Sequence, residues 1–212
     1  MWLLQGLGNT MLITVFAVIL GMLLGFLIAI VRTTHDKTGK LVIPNLICRV
    51  YLTVIRGTPV VVQLLIIYFV VFASVPINKI FVAILAFGLN SAAYVAEIVR
   101  SGIMSIDNGQ FEAGASLGLN YAKTMLFIIL PQAFKNILPA LANEFIVLLK
   151  ETSVAGYIAI QDLTKGGDQI RSDTYNAFLP LLAVAAIYLV IVMFLTYLVS
   201  RLERRLAKND RR

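Results

Sequence analysis

Residues 11–31 read MLITVFAVILGMLLGFLIAIV, a stretch of 21 residues without a charged side chain. About 20 helical residues span the ~30 Å hydrocarbon core of a bilayer. In lipid such a segment is helical, because each backbone N–H and C=O group then finds its partner within the segment. Residues 80–96 and 177–200 form further uncharged apolar runs. The sequence therefore predicts an all-α membrane protein that crosses the bilayer several times.

The overall composition supports this fold class. Apolar residues make up 59% of the 212 residues and charged residues 14%, against about 45–50% and about 25% in soluble proteins. The net charge of +7 does not indicate nucleic-acid binding, because the basic residues concentrate beside the apolar runs. The single cysteine and the single histidine, Cys48 and His35, predict neither an internal disulfide nor a metal site.

Five transmembrane helices are predicted, within one transmembrane domain that covers residues 1–212. The predicted spans are residues 6–32, 59–73, 79–99, 134–149 and 175–200. Residues 41–55 are interpreted as a run-in to the second span, and Pro131 and Pro139 as kinks or starts of the fourth. We interpret residues 33–40 as a polar turn and residues 164–174 as a polar loop.

Lys and Arg residues beside the apolar runs predict the orientation in the membrane, since they mark the cytoplasmic side. Four follow the first run and six follow the last: Arg32, Lys37, Lys40, Arg49, Arg201, Arg204, Arg205, Lys208, Arg211 and Arg212. With five spans, the N-terminus is predicted outside and the C-terminus in the cytoplasm. Gly21 and Gly25 form a G-x-x-x-G motif, which we expect to serve helix packing within the chain.

One polar segment has an unusual pattern of small residues. Residues 112–131 read EAGASLGLNYAKTMLFIILP. Asp107 and Asn108 precede the segment and are able to cap a helix, because their side-chain oxygens accept backbone N–H bonds. The small residues at 113–116 would allow another surface to approach closely, and Gly118 offers a turn. Composition alone leaves two interpretations open, an ordinary interhelical loop and a short cytoplasmic docking helix.

This segment resembles the EAA loop of ABC-importer permeases, which is Glu-Ala-x-x-x-x-Gly, then nine intervening residues, then Ile-x-Leu-Pro. The positions that match are Glu112, Ala113, Gly118, Ile128, Leu130 and Pro131, while Gly114 stands where the family usually has Ala. Three more segments resemble the polar amino acid subfamily, which takes up histidine, arginine, glutamine and their relatives. They are Arg56-Gly57-Thr58-Pro59 with Gln63, the stretch 93–103 (AYVAEIVRSGI), and Lys150-Glu151-Thr152-Ser153.

The resemblance implies the transmembrane domain of a type I ABC importer in a bacterial cell membrane. Two permease subunits, here expected as a homodimer, would pair with two ATPase subunits and an external amino-acid-binding protein. ATP and Mg²⁺ would bind the ATPase, and this chain, which lacks G-x-x-x-x-G-K-[ST], would need no cofactor and would not be an enzyme. Residues 107–131 would form the coupling loop. Its ATPase-coupling residues would be Glu112, Ala113, Gly114, Gly118 and Leu119.

Ionisable residues within the spans predict a polar cavity, because a charge at the bilayer centre costs about 2.5–3.5 kcal/mol and faces a cavity or a partner. Asn90, Tyr94 and Glu97 share one helix face, and Glu144 and Glu151 share another. The predicted substrate-binding residues are Glu97, Glu151, Asn90, Thr58, Tyr94, Glu144, Asn143 and Gln161. Because several of these residues are carboxylates, we expect the substrate to be a basic amino acid (arginine, lysine or histidine). Thr58, Asn90 and backbone N–H groups would bind its α-carboxylate.

Two alternatives stay open at this point. Glu97 either faces the cavity or pairs with Arg56 or Arg100, and Glu151 either faces the cavity or pairs with Lys150 or a helix end. At the level of function, an ion-coupled secondary amino acid transporter would also contain intramembrane carboxylates. It would more often show an internal repeat, which the sequence does not show convincingly, and it would not need a docking loop.

Overall fold

The computed structural model describes residues 1–209, and their side chains as far as residue 206. Within this part of the chain all regular structure is helical. The α-helices are α1 (Trp2–Thr38), α2 (Val42–Arg56), α3 (Val60–Ile66), α4 (Lys79–Met104), α5 (Asn108–Ser116), α6 (Tyr121–Thr124), α7 (Leu130–Glu151), α8 (Leu163–Thr174) and α9 (Phe178–Asn209). Two π-helical turns, Ile67–Val71 and Met125–Ile129, extend α3 and join α6 to α7, and a 3₁₀-helix, Thr152–Ile158, follows α7.

Within the described residues, four helical stretches are long and apolar enough to cross a bilayer, namely Trp2–Thr38, Lys79–Met104, Tyr121–Ile158 and Phe178–Leu206. A fifth crossing results if Val42–Arg56 and Val60–Val71 count as one span, although they meet at an angle of 107°. The predicted run-in at 41–55 is therefore a separate helix. The bend falls at Gly57-Thr58-Pro59, where proline removes a backbone donor and begins the next helix. Of the basic tail, Arg211 and Arg212 lie outside the described residues.

The G-x-x-x-G motif of α1 packs against α4 within the chain, as predicted. A Cβ atom at Gly21 would lie 2.8 Å from the Cβ of Ser91, and one at Gly25 would lie 2.6 Å from the Cβ of Val95. Both glycines are buried. The absent side chains allow the two backbones to approach closely, which maximises dispersion contacts where lipid supplies no hydrophobic driving force. Because residue numbers rise together along this contact, α1 and α4 run parallel.

The prediction of a polar turn at 33–40 is largely wrong, because α1 continues to Thr38. Thr33 is buried, and the hydroxyl of Thr38 donates to the carbonyl of Thr34 at 2.6 Å. The helix ends at Gly39, whose φ of 68° suits a left-handed cap and whose N–H bonds to the carbonyl of His35. Contacts of this last turn with α4 and α5 stabilise helix where local composition favours a turn.

The prediction of a polar loop at 164–174 is also wrong, since Leu163–Thr174 forms α8. Asp162 caps the helix, its Oδ1 accepting the N–H of Lys165 at 2.7 Å and its Oδ2 that of Gly156 at 2.6 Å. Gly166 and Gly167 are buried against α1 and α9. Their lack of a side chain is used for close packing rather than for a turn.

The parallel arrangement gives the bundle two distinct ends. At one end Asn9 donates to the carbonyl of Gln161 at 2.8 Å, and the N–H of Leu163 bonds to the hydroxyl of Thr10 at 3.1 Å. At the other end Lys37 donates to the side chain of Asn108, the first residue of α5, at 2.7 Å. We refer to these as the α8 end and the α5 end.

Candidate functional site

A polar cleft of about 510 Å³ opens between α4 and α7, where the sequence predicted a cavity. It contains three of the predicted substrate-binding side chains, and it extends to the end of α2. The lining residues that matter below are Arg56, Tyr94, Glu97, Ser101, Asn136 and Glu144. Amphipathic spacing explains the arrangement, since Tyr94, Glu97 and Ser101 lie on one side of α4. The cleft thus contains two carboxylates, one guanidinium group and several neutral hydrogen-bonding groups.

Glu97 is held by two arginines. Its Oε1 lies 2.5 Å from Nη1 of Arg32, and its Oε2 lies 3.3 Å from Nη2 of Arg100. Arg100 also reaches Asp36 at 3.5 Å, so the cluster ties α1 to α4. Of the two pairings weighed from the sequence, that with Arg100 is present and that with Arg56 is absent from the ion pairs of residues 1–206. Arg32 was not foreseen, because 65 residues separate it from Glu97.

Glu144 differs from Glu97 in its surroundings. Its side chain is buried, with 7% of the residue exposed, and it accepts a hydrogen bond from the hydroxyl of Ser91 at 2.9 Å. Among residues 1–206 no Lys, Arg or His nitrogen lies within 4 Å of its carboxylate, whereas Glu97 has two such partners. Glu144 is therefore the carboxylate of the cleft that retains its capacity to bind a cation.

Arg56 extends over the ring of Tyr94, with its guanidinium carbon 5.7 Å from the ring centre. A cation over an aromatic face is attracted by the ring quadrupole, by about 0.5–1 kcal/mol at exposed sites. This contact fastens the C-terminal end of α2 to the middle of α4. Tyr94 thus connects the bend between α2 and α3 to the cleft.

Asn90 is removed from the cleft by a buried amide network around Gln63. The side-chain nitrogen of Gln63 donates to the carbonyls of Ile55 (2.7 Å) and Thr58 (3.0 Å) and to the hydroxyl of Thr58 (2.9 Å). Its oxygen accepts from the amide of Asn90 at 3.1 Å. The hydroxyl of Thr58 in turn donates to the carbonyl of Val54 at 2.8 Å. Helix C-termini leave carbonyls without partners, and here Gln63 satisfies them across the bend.

The remaining predicted residues lie apart from the cleft. Asn143 is exposed on α7, and Glu151 is half-buried at its C-terminal end. Gln161 lies at the α8 end, beside the capping residue Asp162. Burial raises the pKa of the Asp162 carboxyl, and bonds from the N–H groups of Lys165 and Gly156 oppose that rise. Hydrogen bonds from Lys165 and Arg171 lower the pKa of the Asp168 carboxyl on α8.

The predicted docking segment contains α5 at its N-terminal side. Asp107 caps this helix through a bond from the N–H of Gly109 at 2.6 Å. Gly118 has a φ of 75°, and the N–H of Leu119 bonds back to the carbonyl of Gly114 at 3.0 Å, which is a Schellman-type ending. A Cβ atom at Gly114 would lie 2.6 Å from Cγ2 of Thr124, so glycine there permits α5 to pack on α6.

The outer surface of this segment presents the other predicted coupling residues. Glu112 and Ala113 are exposed, and Glu112 and Leu119 line a second cleft, of about 420 Å³, beside the C-terminal end of α1. Lys37 reaches into the cleft from α1, with its amine 4.5 Å from the ring centre of Phe111. Among the described residues no group of three or more His, Cys, Asp or Glu side chains could hold a metal ion.

Comparison with known proteins decides the family. Residues 21–208 match the model of the family described as "Binding-protein-dependent transport system inner membrane component". The chain belongs to this family. The match covers most of the chain and confirms the location in the inner membrane. Permeases of this family do not hydrolyse ATP themselves and work with a separate ATPase and a binding protein.

Individual relatives narrow the class of transporter. The arginine transport system permease protein ArtQ of Bacillus subtilis is 41% identical over 212 residues, covering 99% of this chain and 94% of that protein. The glutamine transport system permease protein GlnP of Escherichia coli K12 is 37% identical over 207 residues, covering 96% and 92%. The crystal structure of an amino acid ABC transporter with histidines aligns with a TM-score of 0.88 at 43% identity, covering 96% of this chain and 94% of that one.

A more distant structure supports the fold alone. The MetNI methionine ABC transporter in an inward-facing conformation aligns with a TM-score of 0.80 at 20% identity, covering 96% of this chain and 95% of that one. Together these relatives confirm that the chain is the permease subunit of an ABC amino acid importer with the type I fold. An ion-coupled secondary transporter is not favoured.

The Gln63 network provides a test of how the permease holds its bend. In Gln63→Leu the carbonyls of Ile55 and Thr58 each lose a hydrogen bond worth about 0.5–1.5 kcal/mol, and the buried amide of Asn90 loses its acceptor at a cost of about 1–3 kcal/mol. We expect the purified permease complex to melt at least about 4 °C lower, as measured by thermal unfolding in detergent. Gln132→Leu is the matched control, because Gln132 is exposed on α7. Equal melting temperatures for the two variants would contradict a stabilising role of Gln63.

Proposed function

We propose that this permease imports a basic amino acid and that the cleft between α4 and α7 is part of its translocation path. The observation that carries the proposal is Glu144, a buried carboxylate in the cleft with no cationic partner among residues 1–206. A buried charge without a partner is costly. A cationic side chain or α-amino group of the substrate would supply the missing partner.

The cleft also offers groups for the substrate's carboxylate. Thr58 and Asn90 donate within the Gln63 network, so they are less available than the sequence suggested. The hydroxyl of Ser101 and the amide of Asn136 line the cleft instead. We assign these neutral donors to the α-carboxylate and Glu144 to the cationic end. Glu97 stays a cleft carboxylate whose charge is balanced by Arg32 and Arg100, so it contributes to shape more than to cation binding.

The other predicted site residues act at a distance in this proposal. Tyr94 forms the wall beside Arg56, while Asn143, Glu151 and Gln161 line the route toward the α8 end. An arginine permease and a transporter solved with histidines stand among the relatives, which agrees with a basic substrate. Glutamine permeases also stand among them. The relatives alone therefore do not distinguish a basic substrate from glutamine. The argument for a basic amino acid is the charge of Glu144.

We further propose the topology and the assembly. In the proposed topology the chain crosses the bilayer five times, with the α8 end and the N-terminus outside and the α5 end in the cytoplasm. Lys37, Lys40, Arg100 and Lys123 at the α5 end support this orientation. Two copies of the chain form the membrane part, and the binding protein docks at the α8 end. Two ATPase subunits, which bind ATP and Mg²⁺, dock on residues 107–131 through Glu112, Ala113, Gly118 and Leu119. Gly114, predicted as a further coupling residue, is buried against Thr124 and acts by letting α5 pack on α6.

Uptake into proteoliposomes tests the proposed function. The permease is reconstituted with its ATPase and binding protein, with ATP on the ATPase side, and uptake of labelled arginine is measured against unlabelled lysine, histidine, glutamine and leucine. We expect ATP-dependent uptake that basic amino acids inhibit at least tenfold more effectively than glutamine. Equal inhibition by glutamine would contradict the basic specificity. Uptake by the permease alone, driven by an ion gradient, would contradict the importer itself.

A further inference from the structure

A third, smaller cleft also borders Glu97 and concentrates positive charge. It measures about 230 Å³ and is lined by Arg32, Arg49, Leu52, Thr53, Arg56 and Glu97. Three guanidinium groups face a single carboxylate, and that carboxylate is shared further with Arg100. The Nε atom of Arg32 is buried without a hydrogen-bond partner. This cleft, hereafter the arginine cleft, therefore has unmet capacity to bind an anion.

The helix that forms one wall of the arginine cleft is amphipathic. Arg49, Thr53 and Arg56 recur at intervals of four and three residues, so they lie in one strip along α2. The neighbouring strip consists of Leu46, Val50 and Val54, which are 60%, 57% and 54% exposed. The basic strip and the apolar strip are thus side by side on the same exposed surface. Polar and apolar parts of a single ligand would find matching surfaces there.

The arginine cleft lies toward the α5 end of the bundle. Arg32 is six residues before Thr38, the last residue of α1. At 1.5 Å per residue, Arg32 therefore lies about 9 Å along the helix axis from that end. Arg100, its neighbour across Glu97, lies in the last two turns of α4. A position near the end of two spanning helices corresponds to the level of lipid headgroups rather than to the centre of the hydrocarbon core.

We propose that the arginine cleft binds the phosphate of an anionic lipid headgroup, with the acyl chains along Leu46, Val50 and Val54. Guanidinium groups bind phosphate oxygens through paired, charge-assisted hydrogen bonds. Basic pockets between transmembrane helices are typical sites for anionic headgroups. In a bilayer, acyl chains already cover Leu46, Val50 and Val54. A lipid in that position has its phosphate beside the basic strip, so it reaches the arginine cleft without leaving the bilayer, as a transported amino acid would not.

The bound phosphate would also affect transport, because the arginine cleft and the cleft between α4 and α7 share Arg56 and Glu97. An anion beside Arg32 and Arg56 would compensate their charge and stabilise the bend between α2 and α3. Lipid would then act as a structural ligand of the permease. This role is independent of which amino acid is carried.

Native mass spectrometry of the detergent-purified permease–ATPase complex tests the proposal. Dioleoylphosphatidylglycerol is added to delipidated complex and compared with dioleoylphosphatidylcholine, which has the same chains without net charge. We expect at least fivefold greater retention of the anionic lipid, and at least a fivefold loss of that retention in Arg49→Gln. Arg49→Lys, which keeps the charge without the paired donors, should retain more of the anionic lipid than Arg49→Gln does. Arg204→Gln, at an exposed basic residue of α9, is the control and should bind as the unchanged complex does.

Five outcomes would overturn the proposal. Equal retention of the two lipids, or retention unaffected by Arg49→Gln, would show that no anionic headgroup binds there. Displacement of the lipid by inorganic phosphate at similar concentration would assign the cleft to free phosphate, and displacement by L-arginine would assign it to the transport path. Loss of the permease dimer in Arg49→Gln, measured in the same spectra, would assign it to subunit contact. Melting temperature serves as the check that Arg49→Gln is folded.

Discussion

Gly118→Val is expected to abolish at least nine-tenths of the substrate-stimulated ATP hydrolysis of the reconstituted complex. The φ of Gly118 is 75°, in the left-handed region. An L-residue costs roughly 1–2 kcal/mol there, and a β-branched side chain is the least tolerated. The turn that ends α5 would then open, and the bond from the N–H of Leu119 to the carbonyl of Gly114 would be lost. Because the proposed ATPase contact depends on this turn, coupling should fail.

Gly118→Asn is the matched control, because asparagine tolerates the left-handed conformation. It should retain most of the stimulated hydrolysis, and both variants should insert in the membrane and assemble as the unchanged permease does. Co-purification of the ATPase with each variant measures docking separately from hydrolysis. If Gly118→Val bound the ATPase normally and responded fully to substrate, residues 107–131 would not be the coupling loop.

Glu144→Gln is the second change with a large expected effect. The substitution keeps the shape of the side chain and an oxygen for the hydroxyl of Ser91, but it removes the charge. Charge-assisted hydrogen bonds are roughly twice as strong as neutral ones, and each 1.4 kcal/mol changes affinity tenfold. We expect the KM for arginine uptake to rise about 10-fold to 100-fold, with little change in any residual uptake of glutamine.

Two comparisons make this result specific to the cleft. Glu203→Gln, on an exposed part of α9, should leave arginine uptake unchanged. Glu97→Gln should lower stability as well as uptake, because it leaves Arg32 and Arg100 without their shared carboxylate. An unchanged KM for arginine in both Glu144→Gln and Glu97→Gln would show that neither carboxylate binds substrate. The assignment of Glu97 and Glu151 as substrate-binding residues is tested by the preference for basic over neutral amino acids in Glu97→Gln and Glu151→Gln. An unchanged preference in both variants would contradict that assignment.

The sequence predicted the helices that lipid alone specifies. Long uncharged runs must be helical, so α1, α4 and α9 were located correctly, and the largely apolar segment 134–149 located α7. Most predicted spans ended before the helices do, whereas the last span was predicted to begin at residue 175, three residues before α9 begins at Phe178. The ends depend on other elements. The last turn of α1 is stabilised by Arg100 of α4 and Asn108 of α5, and α8 by its packing against α1 and α9. Local composition at these places favours turns, and tertiary contacts override it.

The candidate site was predicted in outline but not in its electrostatics. Helical spacing correctly grouped Tyr94 and Glu97, and it placed Glu144 on a facing helix. Spacing does not indicate which cation pairs with which carboxylate, since Arg32 and Glu97 meet only because α1 and α4 pack in parallel. Gln63 was noticed as part of a motif, yet its bonds across the bend to Asn90 depend on the angle of 107° between two helices. Such contacts require the three-dimensional structure.

A structure of the permease–ATPase complex with L-arginine bound tests the central claim most directly. The account predicts ligand density in the cleft between α4 and α7, with a guanidinium or amino nitrogen about 2.7–2.9 Å from the Glu144 carboxylate. The same density should be absent from Glu144→Gln at equal arginine concentration. Arginine bound elsewhere in the membrane domain, with Glu144 still bonded only to Ser91, would contradict the account.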